Sequence, residues 1–178
     1  MAHFWFPDNT VLCNFAAIER LDLLKAVLDG RGRWTEAVAD EARRSARYIA
    51  AMATIAVEGW LSEPISVEAE HSARIERIRI AAFGGSATKP LEHRGEAETC
   101  YVIREVMERT DCVWITDDEA AFDFGKRQGI ETCDTTSVIE RSVADGLVTA
   151  EGAFELLMAM FDVDRTPRRK PRKPEDLR

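Results

Sequence analysis

Carboxylates stand where this chain turns from an apolar run into a helical pattern. Asp8 follows "HFWFP" (residues 3–7), and Asp117 and Asp118 follow "CVWIT" (112–116). Glu96 and Glu98 open "GEAETCYVIREVMER" (95–109), and Glu41 lies in "WTEAVADEARRS" (34–45). Carboxylates brought together repel one another and rise in pKa unless a cation shares them. The cation that suits an all-oxygen donor set is a hard divalent one, Mg²⁺ or Mn²⁺, with water completing its shell. Such an ion can activate water and stabilise charge developing on a phosphodiester.

Other chemistries lack their residues. His3, His71 and His93 are too scattered for a His-based metal site or an H-E-x-x-H helix. Cys13, Cys100, Cys112 and Cys133 form no C-x-x-C pair and sit in mostly apolar segments, so buried, reduced thiols are expected. The "GRG" at 30–32 lacks a third glycine and follows a helical pattern, which makes it a turn. No G-x-S-x-G or Walker loop is present.

The elements that must position the acids follow from periodicity. "HFWFP" reads as a strand ended by Pro7, which has no N–H to give a ladder. Residues 9–30 carry apolar residues at helical spacing up to Gly30, as one or two helices. Thr35 caps a predicted alanine-rich helix that runs to Gly59. "WLSEPISV" (60–67) reads as a short edge strand, 69–83 as a helix, and "FGGSATKP" (83–90) as a loop. A helix over 95–109, strand 112–116, helix 118–129, strand 130–133 and helices over 135–145 and 149–161 complete the body. Strands alternating with helices predict an α/β fold with a central parallel sheet, helices on both faces, and functional groups at the C-terminal ends of the strands.

Charge is unevenly spread. Residues 165–178 hold seven Lys/Arg against two Asp/Glu, a net +5 within a chain of net −8, which leaves −13 on residues 1–164. "TPRRKPRKPEDLR" contains three of the six prolines and hardly any apolar residue, so the expectation is one domain over 1–163 and a disordered basic tail over 164–178. Arg168, Arg169 and Lys170 of that tail are candidates for contact with a polyanion, as are Arg43, Arg44 and Arg47 just beyond Glu41. No window approaches the roughly eighteen apolar residues of a membrane span, and "MAHFWFPDNT" lacks the basic region of a signal peptide. A soluble, cytoplasmic protein without membrane contact is expected.

"FPDNTVLCNFAAIERLDLL", "WTEAVADEARRS", "HRGEAETCYVI" and "VWITDDEAAFDFGKRQGI" occur in the order and approximate spacing of the PIN domain, the fold of metal-dependent ribonucleases. The chain resembles most the members with a Gly-Glu-x-Glu helix start and a strand ending in Asp-Asp. The resemblance implies a three-layer α/β/α PIN-like fold and a Mg²⁺- or Mn²⁺-dependent endoribonuclease. In that reading Asp8, Glu41, Glu98 and Asp118 hold the ion, and Asn9, Thr10 and Thr116 support them. An RNA substrate, an antitoxin partner and a homodimer belong to the same implication.

Geometry narrows the choice among neighbouring acids. Glu96 and Glu98 are two residues apart and at 100° per residue point to nearly opposite sides of a helix, so Glu98 is preferred as ligand with Glu96 in support. Thr116 to Glu119 also fits a capping box, so of Asp117 and Asp118 one can cap while the other ligates; Asp118 is taken as the ligand. Glu36 and Asp40 are the alternatives to Glu41 for the inward-facing acid of their helix. Trp5, Trp34, Trp60 and Trp114 read as core or interface anchors. Two rival functions stand beside the nuclease: a PIN domain that binds nucleic acid without turnover, and a phosphohydrolase acting on small phosphate esters.

Overall fold

Three short apolar runs become the strands of a parallel sheet in the order β1-β2-β3: β1 (Phe4–Pro7), β2 (Cys112–Ile115) and β3 (Glu131–Cys133). The computed structural model describes residues 3–107 and 111–177. Register pairs Phe4 with Cys112 and Pro7 with Ile115, then Val113 with Glu131 and Ile115 with Cys133. Successive side chains point to opposite faces, and the sheet divides accordingly. Phe6, Cys112 and Trp114 enter one apolar cluster; Ile115 and the half-buried Trp5 and Cys133 join the other. Trp114 is wholly buried.

Helices cover both faces. Against the Ile115 side pack α1 (Asn9–Ala17), α2 (Leu21–Leu28), α8 (Thr135–Ala144) and α9 (Ala150–Asp162), whose Leu12, Leu24, Ile139 and Leu157 are inaccessible. Against the Trp114 side pack α5 (Ser72–Phe83), α6 (Arg94–Tyr101) and α7 (Glu119–Arg127). Between these come α3 (Glu36–Ser45) and the short α4 (Ala53–Glu58). The fold is α/β, as the alternating pattern predicts. Helix α7 lies so close to the sheet that a Cβ on Gly125 would stand 2.5 Å from Thr132 Cγ2 and 3.1 Å from the Trp114 ring. Gly125→Ala is therefore expected to destabilise the protein by about 1–3 kcal/mol, the usual cost of overpacking, readable as a shift of the urea midpoint at unchanged slope.

Residues 9–30 form two helices, within the expected one or two, broken at Glu19, which adopts φ 55°. Other expectations are corrected. The helix begun at Thr35 stops at Ser45, and Ile49 turns extended so that Met52 and Ile55 reach the core while Tyr48 stays in solvent. "WLSEPISV" forms no strand; only Ile65 pairs, in an isolated parallel bridge with Thr35. Helix α6 loosens after Tyr101 into a π-helical turn at Val102–Val106, and the last two residues of the expected helix lie outside the described residues. The four cysteines are free; Cys13, Cys100 and Cys112 are buried and Cys133 half-buried. Among the described residues no helix is long and apolar enough to cross a membrane.

The basic tail is the largest correction. Past α9 the chain turns back: Pro167 and Leu177 are buried, and a 3-10 turn at Pro174–Leu177 packs on α9. Composition alone predicted fraying because it counts few apolar residues, whereas Leu177 reaches the core and the arginines find acids far away in sequence. Arg178 lies outside the described residues.

Candidate metal centre

The strand register brings three acid-bearing turns to one edge of the sheet, the C-terminal edge where α/β proteins bind ligands. Each strand there runs into an aspartate that caps the next helix. Asp8 Oδ1 accepts from Val11 N at 2.8 Å at the head of α1, Asp118 Oδ1 from Ala121 N at 2.7 Å at the head of α7, and Asp134 Oδ1 from Ser137 N at 2.8 Å at the head of α8. The positive ends of the helix dipoles therefore face this edge and reduce the cost of gathering negative charge. Asp134 was not singled out from the sequence, although the same signal, an acid directly after a strand, marks it.

Two helices supply the remaining acids. Gly95 N donates to Glu41 Oε1 at 3.1 Å, tying the head of α6 to α3. The approach depends on glycine, since a Cβ there would lie 2.9 Å from both Glu41 carboxylate oxygens. Glu96, in the first turn of α6, is the shared neighbour: its charge acts on Asp8 and on Glu41, and it in turn feels Asp118. Asp8, Glu41, Glu96 and Asp118 thus border one crevice.

Burial is the main cause that pushes the Asp8 carboxyl well above the ordinary range, with the charges of Asp117 and Glu96 adding to it, against donors from Thr116 and Val11. Burial, then Glu96, pushes Glu41 up to about 7, although the Gly95 amide and Arg44 oppose this. Burial also raises Glu96, with Asp118 adding and the nearby His93 opposing. His93 Nδ1 stands 3.8 Å from Glu96 Oε1.

The structure places the other sequence-chosen residues as follows. Glu98 is engaged by α3: its Oε1 accepts from Ala37 N at 2.9 Å in the first turn of that helix, Arg94 Nε stands 3.9 Å from its Oε2, and its charge still acts on Glu41. Glu96 is the one of the two whose charge also acts on Asp8, whereas Glu98, preferred from the sequence, spends an oxygen on α3. Asp117 is not the cap either. Its two oxygens accept from Asn14 Nδ2 at 2.7 Å, Thr135 N at 3.0 Å, the Thr135 hydroxyl and Arg168 N at 3.1 Å. Four donors occupy the roughly four lone pairs of a carboxylate, so Asp117 ties β2 to α1, α8 and the tail, and none is left over for an ion. Asp118 both caps α7 and borders the crevice, with its Oδ2 outside the cap bond.

Of the supporting residues, Thr116 is buried, bonds Asp8, and accepts from Asp118 N at 3.2 Å, so it couples two crevice acids. Asn9 Nδ2 donates to Ser45 Oγ at 3.1 Å and links the first turn of α1 to the helix that carries Glu41. Thr10 is exposed. Arg43 pairs with Asp40, Arg47 is exposed, and Arg44 lies close enough to act on Glu41. Arg168 and Arg169 are taken up by acids of the body, and Lys170 is exposed over the Phe161 ring at 4.6 Å.

The crevice offers carboxylate oxygens, three of these groups raised in pKa chiefly by burial, with His93 beside Glu96; carboxylate oxygen is the donor chemistry of Mg²⁺ or Mn²⁺. Among the described residues a group of three ligand atoms all within 4.8 Å of one another occurs at Glu68, Glu70 and His71, on the turn before α5, where exposure of both glutamates makes a bare acidic surface the plain account. Asp8, Glu41, Glu96 and Asp118 are not a group that meets this spacing. No family model matches this chain, and no curated protein or solved structure is significantly similar to it.

Proposed function

We propose that this protein is a Mg²⁺- or Mn²⁺-dependent ribonuclease of PIN-like, three-layer architecture, with Asp8, Glu41, Glu96 and Asp118 as the acids that hold the ion. The observation that carries the reading is the convergence of these four carboxylates on the C-terminal edge of a parallel sheet, three of them raised in pKa. When bound, the ion supplies a nucleophilic water and charge stabilisation at the phosphate. The chain supplies the rest. Asp8 and Asp118 are fixed by their caps and by Thr116, and Glu41, near 7, can release or take a proton around neutrality at its Oε2. Arg44 and Arg47 are the side chains placed to meet a phosphate backbone, since an exposed ion pair such as Arg43–Asp40 is weak and Arg168 and Arg169 are already engaged.

A toxin held by an antitoxin over the acidic edge, and a homodimer, are proposals that rest on the PIN resemblance. The experiment is cleavage of mixed structured RNAs in Mg²⁺ or Mn²⁺, with an EDTA control, by wild type, Glu96→Gln and Glu98→Gln. Glu96→Gln is expected to lose cleavage. Glu98→Gln is expected to keep it, because the amide oxygen can still accept from Ala37 N and the centre does not use this side chain. Equal cleavage by Glu96→Gln and wild type would remove the metal centre from the mechanism, and RNA binding without cleavage by wild type would favour the non-catalytic domain.

A further inference from the structure

The tail that the sequence presents as a free basic arm is fastened along its length to the acidic edge. Arg165 N bonds Met160 O at 2.9 Å at the end of α9, and Pro167 is buried. Arg168 gives its backbone N–H to Asp117, its guanidinium to Glu119 at 2.8 and 3.1 Å, and its face to the Phe122 ring at 3.9 Å. Arg169 clamps Asp134 at 2.7 and 3.0 Å and Glu140 at 2.9 and 3.0 Å, while its carbonyl accepts from the Thr136 hydroxyl at 2.7 Å. Leu177, 1% exposed, anchors the far end in the core.

These contacts divide the acidic edge in two. Asp117, Glu119, Asp134 and Glu140 are satisfied by the tail, and Asp134 is held below the usual carboxylate range because Arg169 and the Ser137 N–H outweigh its burial. Asp8, Glu41 and Glu96 receive no hydrogen bond or ion pair from the tail among the described residues; their partners include Val11 N, Gly95 N and His93. Asp117 is the hinge of this division, because it directly precedes Asp118 and its last acceptor position is filled by Arg168 N–H.

We propose that residues 165–177 are a strap that positions the metal centre, with Arg168 acting through Asp117 as a positioning residue; this rests on the metal-centre reading above. The strap occupies Asp117, Glu119, Asp134 and Glu140, so of the acids along this edge Asp8, Glu41, Glu96 and Asp118 are the ones left for an arriving cation. It also locks the turn that presents Asp118. Arg168 and Arg169 do not face RNA in this arrangement, so the strap governs ion binding and turnover, not substrate affinity.

The test uses the full chain as wild type, Arg168→Ala, Arg168→Pro and Leu177→Asp, with Mn²⁺ affinity read by electron paramagnetic resonance, RNA cleavage read as kcat and KM, and folding checked by circular dichroism. Arg168→Ala keeps the N–H; Arg168→Pro removes it. Arg168→Pro is expected to weaken Mn²⁺ binding about tenfold and to lower kcat with KM near wild type, the size of effect typical for groups that orient metal ligands. Arg168→Ala should fall between it and wild type. Leu177→Asp, which frees the anchor without touching any acid, should weaken Mn²⁺ binding in the same direction and stands in if Arg168→Pro does not fold. Unchanged Mn²⁺ affinity in the folded variants would overturn the strap, and so would a raised KM at unchanged kcat, which would restore the tail as an RNA arm. Loss of Mn²⁺ affinity in Arg168→Pro while wild type cleaves no RNA would keep the strap and remove the ribonuclease reading. A wild type that binds no Mn²⁺ would remove both.

Discussion

Asp8→Asn is expected to abolish cation-dependent RNA cleavage, by about a hundredfold or more, while raising the thermal stability of the cation-free protein. The two effects have opposite signs because one carboxylate serves the ion and burdens the fold. Asn caps a helix as well as Asp does, so the bond from Val11 N and the start of α1 survive. What disappears is a charge that is 5% exposed, pushed up in pKa by its burial and by Asp117 and Glu96. Removing it relieves the cation-free protein, as is common where a site is kept at the expense of stability. With an ion bound the balance reverses, since losing a charged ligand forfeits several kcal/mol of transition-state stabilisation, and each 1.36 kcal/mol is about tenfold in rate. A time course of RNA cleavage in Mn²⁺ and a melting curve in EDTA read both effects. Wild-type cleavage by Asp8→Asn would remove Asp8 from the centre. A lowered melting temperature together with lost cleavage would make Asp8 a structural cap and nothing more.

How far the sequence discloses this site depends on whether the deciding interaction is local. Asp8, Asp118 and Asp134 share a local grammar, an apolar run and then an acid at a helix start, and two of the three were found by it. Thr35 is found in the same way, and its hydroxyl does accept from Val38 N. The choice between Glu96 and Glu98 was not local. It depends on the backbone entering α6 through His93 at φ 60°, which sets the rotation of the helix, and on Gly95 giving its N–H to a glutamate fifty-four residues earlier. The strap was invisible for the same reason, because Arg168 and Arg169 meet Glu119, Asp134 and Glu140 only once β2 and β3 lie side by side. Arg79 shows the principle away from the site. Composition assigns an arginine to the surface, yet this one is 1% exposed, paired with Glu76, and donates to the carbonyls of Ser86, Lys89 and Glu92, so that it holds together a loop that carries little apolar surface of its own.

Without divalent cations, the melting temperature is expected to fall as pH rises from about 5 to about 8, and Mn²⁺ is expected to flatten that slope. Glu41 titrates at about 7 in the folded chain against an ordinary 4.5, and Asp8, Glu96, Glu98 and Asp117 are displaced upward as well, burial being the largest cause in each. Between the unfolded and folded pKa values the folded state therefore binds more protons than the unfolded state, and stability drops with rising pH in that window. It is fully present below the unfolded values and lost as pH passes the folded ones. The groups facing Glu41 set the sign: Glu96 and Glu98 from α6 raise it, and Arg44 from its own helix and the Gly95 amide do not offset burial. Asp134, lowered by its contacts with Arg169 and Ser137, works the other way, and its contribution is lost only in stronger acid. An ion that binds the ionised carboxylates stabilises by mass action, about 2.7 kcal/mol at a hundredfold excess over its Kd, which for a chain of this length is a rise of about 5–10 °C at pH 8. At pH 5 the same Mn²⁺ should do little, because protons already occupy the crevice. Scanning calorimetry across pH with EDTA and with Mn²⁺ measures both arms, and Glu41→Gln should remove part of the slope in EDTA. A melting temperature that rose with pH in EDTA, or that Mn²⁺ shifted equally at pH 5 and pH 8, would mean that these carboxylates are ionised without help and that the crevice holds no centre waiting for a cation.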